Sequence, residues 1–190
     1  PPWEPGSYDP PWADRPAART GRLIHDPRKS PEENGERLRE AVAALRPGDT
    51  LRVGEGTWSV TGKFDINLRG TERQPIRVIG DGEGDRRPVI TRPDDRQNVL
   101  NLGTEDGTPT EYLQLANLIL TGGSSLLRIY SCRHLWIDRC ELTRGGGEGI
   151  TANTRDTDHL YITRNHIHHL ETPGATCEGV PALRTGRGTG

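Results

Sequence analysis

Three segments of this chain superpose without gaps: YLQLANLIL (112–120), HLWIDRCEL (134–142) and HLYITRNHI (159–167). The second begins 22 residues after the first, and the third 25 after the second. Each reads x-apolar-x-apolar-x-x-y-x-apolar. The inward positions are Leu113, Leu115, Leu118 and Leu120, then Leu135, Ile137, Cys140 and Leu142, then Leu160, Ile162, Asn165 and Ile167. A further apolar triplet follows each segment: LRI at 127–129, ITA at 150–152 and VPA at 180–182. Three short strands per period of this length predict a parallel β-solenoid, whose coils stack ~4.8 Å apart and whose equivalent residues form ladders. A leucine-rich repeat would need LxxLxLxxN, which is absent, and a β-sandwich would not keep this register.

The N-terminal half fits the same plan. In SPEENGERLREAVAALRPGDT, Ser30 and Glu33 form a capping box, and Pro31 suits the first helical position. Leu38, Ala41, Val42 and Leu45 share one face. A helix over about 31–46 is expected, weakened in its first turn by Asn34-Gly35, ended by Pro47-Gly48-Asp49 and placed over the open end of the solenoid core. Residues 1–30 read as an extended arm that docks through Trp3 and Trp12, or as a disordered lead-in. The helix and coils occupy 31–184 and a flexible tail 185–190. With 24 Gly and 15 Pro in 190 residues and 31% hydrophobic residues, a wide globular core is excluded in favour of a thin one with many turns. A net charge of −2 argues against nucleic acid, and no apolar run is long enough for a membrane span. The opening PPWEPGSYDP has no leader pattern, which is compatible with a signal peptide removed upstream.

The outward ladders carry the chemistry. Trp136 and Tyr161 point away from the core on adjacent coils; they suit the apolar faces of sugar rings, or pack under a loop or the arm. Tyr112, His134 and His159 form the neighbouring ladder. Arg139 and Arg164 form another, able to hold uronate carboxylates, or to stay solvated. Glu148 and Glu178 align when the third strands are matched, and such a carboxylate pair would begin a calcium site or be held apart by its turns. His166, His168 and His169, followed by Cys177, loosely suggest zinc, but polar turn residues or sugar hydrogen-bonders fit better. Three cysteines (Cys132, Cys140, Cys177) without CxxC do not make a disulfide framework. Cys140 belongs in the core, and a Cys132–Cys140 bridge is geometrically excluded.

AVAALRPGDTLRVGEGTW, GTERQPIRVIG and YLQLANLILTGG resemble the first coils of right-handed parallel β-helix proteins, in particular the chondroitinase B and alginate lyase family of polysaccharide lyases. NHIHHLETPGATCEGV is similar to a bacterial family of secreted right-handed β-helix proteins. The resemblance covers about residues 36–180 and implies an all-β right-handed parallel β-helix with a short N-terminal capping helix. It also implies a secreted or periplasmic protein directed at an acidic polysaccharide, lyase- or epimerase-like. Those lyases use a lysine base in late coils; here only Lys29 and Lys63 are lysines, and neither lies in a late coil. No catalytic residue carries over, and calcium is the one cofactor implied. The alternatives are an inactive, truncated fragment and a non-catalytic surface scaffold or adhesin-like module. A last coil ending in Val180-Pro181-Ala182 would leave an open edge prone to self-association.

Overall fold

The computed structural model describes residues 8–103, 109–152 and 157–170. Strand β1 (Arg19–Leu23) comes first, followed by helix α1 (Pro31–Ala43). Five successive coils follow. The first holds β2 (Asp49–Val53), β3 (Thr57–Ser59) and β4 (Asp65–Ile66); the second holds β5 (Ile76–Gly80), β6 (Val89–Arg92) and β7 (Leu100–Leu102). The third holds β8 (Thr110–Ala116), β9 (Ile119–Gly122) and β10 (Leu127–Ile129). The fourth holds β11 (Cys132–Asp138), β12 (Glu141–Thr143) and β13 (Ile150–Ala152), and the fifth begins with β14 (Asp158–Thr163) and β15 (His166–His168).

Each strand pairs with its equivalent in the next coil, always in parallel, giving three sheets: β1-β2-β5-β8-β11-β14, β3-β6-β9-β12-β15 and β4-β7-β10-β13. This is a parallel β-helix. Leu113 pairs with Leu135 and Leu135 with Leu160, and Leu127 pairs with Ile150, as the repeat alignment requires. The inward residues Leu113, Leu115, Leu118, Leu120, Leu135, Ile137, Cys140 and Leu142 are buried in one continuous core. Asn165 takes the place of Leu118 and Cys140 in its coil. Its Oδ1 accepts from Cys140 N at 2.8 Å and its Nδ2 donates to Ile137 O at 2.8 Å, so the amide serves backbone groups that a corner leaves open.

Helix α1 starts at the expected capping box, with Ser30 Oγ accepting from Glu33 N and Glu33 Oε2 accepting from Ser30 N. Leu38 and Val42 join the core, and the helix packs against β3 at the N-terminal end of the solenoid. Two details differ from expectation. The helix stops at Ala43, and Asn34-Gly35 lies inside it as a tightly packed turn. Asn34 is fully buried, its Nδ2 donating to Asp26 O and Ser30 O while its Oδ1 accepts from Asp26 N. A Cβ on Gly35 would stand 1.8 Å from Ser59 O, so only glycine lets the helix approach β3 this closely.

Within the N-terminal 30 residues, β1 extends the first sheet by pairing with β2, and Trp12 is buried on the outer face of that sheet. Trp3, the VPA triplet, Cys177 and Glu178 lie outside the described residues.

Candidate functional site

The corners of each coil set the outward columns. Among the described residues, eight non-glycine residues have positive φ, and they recur at five-residue steps: Tyr112 and Asn117, then His134, Arg139 and Arg144, then His159, Arg164 and His169, with φ from 48° to 56°. The left-handed conformation costs about 1 kcal/mol for such residues. Repeating it at equivalent positions keeps the coils in register and forces side chains from neighbouring coils into columns. Two of these columns matter here.

The first is Asn117–Arg139–Arg164, at the corner between the first and second sheets. Arg139 and Arg164 line an open cleft of about 350 Å³ with Arg87, Glu83, Glu141 and His166. Asp138 lies beneath it, fully buried, accepting from Thr163 Oγ1 at 2.8 Å and Arg164 Nε at 2.7 Å. Its other oxygen is 3.2 Å from Arg139 Nη1 but has no aligned donor. Arg164 also donates to Asp9 Oδ1 at 2.7 Å, and the hydrogen bond to Asp138 raises the guanidinium pKa further. Burial pushes the Glu141 carboxyl up, but hydrogen bonds from His168 (3.1 Å) and Arg87 outweigh it and hold the carboxyl below its usual range. Of the three arginines in the cleft Arg139 is the most exposed, its side chain 62% exposed against 38% for Arg164 and 14% for Arg87. A second hollow of about 590 Å³ continues along the corner, sharing Glu83, with Arg22 and Arg52 both bound to Asp81.

The second column is Tyr112–His134–His159, at the start of β8, β11 and β14. Tyr112 and His134 stack with ring centroids 4.2 Å apart and planes 12° apart; His134 and His159 stack at 4.5 Å and 27°. His159 Nδ1 lies 3.0 Å from Asp158 Oδ1. Burial, then the neighbouring His159, lowers the His134 pKa, which favours the neutral imidazole.

The structure brings Arg139 and Arg164 to one cleft and His134 and His159 to one column. It does not present Trp136 and Tyr161 as an open platform. Trp136 is 5% exposed: Trp12 packs edge-on against it with centroids 5.8 Å apart, and its Nε1 donates to Thr163 Oγ1 at 2.8 Å. The arm is held there by Arg77, whose Nη2 donates to Ala13 O at 3.1 Å and Arg15 O at 2.8 Å. Tyr161 pairs with Trp136 in register and is half-buried. The alternation of β11 correctly turned Trp136 outward, but burying a second indole on it removes more apolar surface than leaving it bare.

The calcium pair cannot be assembled from the described residues. Glu148 is exposed and accepts from Ser125 Oγ at 2.9 Å, while Glu178 lies outside them. His168 bonds to Glu141 and stacks at 4.0 Å on His166, which lines the arginine cleft. Lys63 is paired with Asp65 at 3.4 Å, far back in the first coil. Cys132 and Cys140 are free and buried, and burial pushes both thiols up to about 12. Sequence reasoning missed Arg87, Asp138, Glu141, Asp158 and Asp9. The outward position of Glu141 in the repeat could have flagged it; Arg87 sits in a turn with no such signal.

No family model and no curated protein matches the sequence. Among solved structures, the chain is similar to an alginate lyase from Paenibacillus sp. str. FPU-7, with a TM-score of 0.57 and 20% identity over 81% of this chain. The chain spans 44% of that protein's length. Among the described residues, no helix is long and apolar enough to cross a membrane. At this identity the likeness concerns the fold alone.

Proposed function

We propose that this chain binds an acidic polysaccharide along the corner between the first and second sheets, in the setting of a secreted or periplasmic protein. Arg139 and Arg164 take uronate carboxylates, and Arg87, Glu141 and His166 line the cleft beside them. The observation that carries this reading is the pair of guanidinium groups on adjacent coils at the rim of one cleft, with a carboxylate, that of Asp9, already docked on Arg164. A planar guanidinium offers paired donors that match a carboxylate. The fold neighbour is named an alginate lyase, so alginate is the first ligand to test.

Lyase or epimerase chemistry of the kind the chondroitinase B resemblance implies needs a neutralised sugar carboxylate and a base at the adjacent carbon. The arginines supply the first requirement. His166 is the imidazole in the cleft and would be the base. A non-catalytic binding module is the second reading, and one observation favours it: Arg87 and Arg164 are both occupied by internal carboxylates.

The test is calorimetry with alginate, polygalacturonate, chondroitin and neutral dextran, alongside the ultraviolet absorbance of an unsaturated product. Binding to the anionic polymers, weakened by Arg139→Ala, supports the reading. Equal binding to dextran, or none to any polymer, overturns it. Product formation that His166→Gln abolishes selects the lyase over the binding module.

A further inference from the structure

We propose that His134, His159 and Asp158 form a binding site for a divalent transition-metal ion, with zinc as the reference ion. The site does not depend on the polysaccharide reading. It lies at the start of β11 and β14, whereas Arg139 follows the end of β11, about 15 Å away by strand rise.

The backbone imposes the pairing. His134 and His159 both sit at the left-handed position that opens the main strand of their coils, with φ of 55° and 48°. The strand register steps over them, pairing Arg133 with Asp158 and Leu135 with Leu160, so both rings bulge outward in one column. Ligand atoms from His134, His159 and Asp158 all lie within 4.8 Å of one another. Tetrahedral zinc, with bonds of about 2.0–2.1 Å to imidazole nitrogen, needs ligand atoms about 3.3 Å apart. The remaining gap is closed by side-chain rotation, since His159 and Asp158 are each 57% exposed. His134 is the fixed member, backed by the Tyr112 ring at 4.2 Å.

The donor set selects the ion. Two imidazoles and one carboxylate suit zinc and its neighbours, while calcium takes six to eight oxygens. Glu111 and Glu72 also act on the His134 ring, but Glu111 pairs with Arg69 and Arg133, and Glu72 with Arg15. Among the described residues, Asp158 Oδ1 lies 3.0 Å from His159 Nδ1. A hydrogen bond between Asp158 and His159 accounts for that pair alone. The His134 ring, stacked between Tyr112 and His159, stands with a ligand nitrogen within reach of both groups. Three protein ligands on an exposed sheet face leave the fourth position to water.

The experiment titrates the full chain, freed of metal with EDTA, with cobalt(II) and then zinc. One equivalent of cobalt is expected to give visible d–d absorption that zinc displaces, and zinc is expected to raise the melting temperature. Asparagine tolerates the left-handed backbone, so the H134N/H159N double variant keeps the bulges while removing both imidazoles. It should lose the absorption and the thermal shift. Asp158→Asn should weaken zinc about ten-fold or more. The H166Q/H168Q variant, which alters the other histidine cluster, should bind like the wild type. Wild-type zinc affinity no tighter than that of H134N/H159N, an unchanged affinity in Asp158→Asn, or loss of binding in H166Q/H168Q instead would overturn the proposal.

Discussion

The Asp9 carboxylate lies 2.7 Å from Nη2 of Arg164, across 155 positions of sequence. The contact joins the N-terminal arm to the fifth coil and occupies the arginine offered to a uronate. Three residues further along, Trp12 covers Trp136 and meets Tyr112 edge-on. The arm thus places a carboxylate and an aromatic ring against the outer face of the fourth and fifth coils.

Removing that carboxylate should free Arg164. Asp9→Asn is expected to raise the affinity for alginate by about three- to ten-fold, while stability changes by less than about 1 kcal/mol because the pair is solvent-exposed. Calorimetry on both proteins checks this; an affinity that stays the same or falls counts against competition by the arm.

Trp12 is the arm's main anchor, at 1% exposure. Trp12→Ala should cost about 3 kcal/mol of unfolding free energy. The lower end of the usual range applies because the buried indole Nε1 has no hydrogen-bond partner, so its loss also removes an unsatisfied donor. Urea denaturation measures the cost, and the fluorescence of Trp136 should become accessible to acrylamide. A stable variant with Trp136 still shielded would mean that other arm contacts suffice.

Gly35→Ala should destabilise the protein although alanine is the better helix former. Propensity favours the change by about 1 kcal/mol, but the new methyl would meet Ser59 O at 1.8 Å. Displacing α1 from β3 should cost about 3 kcal/mol, against that gain. A higher melting temperature in the variant would show that the helix can shift without loss.

Glu141 gives a pH signature. Its folded pKa lies below the unfolded value of about 4.3. The stabilisation is therefore fully present above that value, and is lost as pH falls through the folded pKa, where the carboxylate protonates and releases Arg87 and His168. Glu141→Gln should flatten the acid limb of the stability profile below about pH 4.3. Identical acid limbs in the two proteins would place the loss elsewhere.

The sequence alone makes Arg139 and Arg164 neighbours, because a repeat that aligns Leu113, Leu135 and Leu160 also aligns whatever stands at the corners. The same reasoning put His134 beside His159 and Cys140 in the core. Alternation along a strand states which side chains face inward, since successive residues point to opposite faces. Stacking in parallel then repeats every choice one coil away. It does not state what covers the outer face. Trp136 and Trp12 are far apart in sequence, and no local pattern links them; their packing is decided by the apolar area each can bury on the other. Arg87 reaches Glu141 from a turn two coils back for the same reason: the solenoid winds distant turns onto one corner. Asn34-Gly35 reads locally as a weak helical turn, and only the approach of Ser59 leaves no room there for a side chain. The period and the inward residues are local properties of the chain, whereas the covering of the outer faces and the pairing of their charges exist only once the coils and the arm are in place.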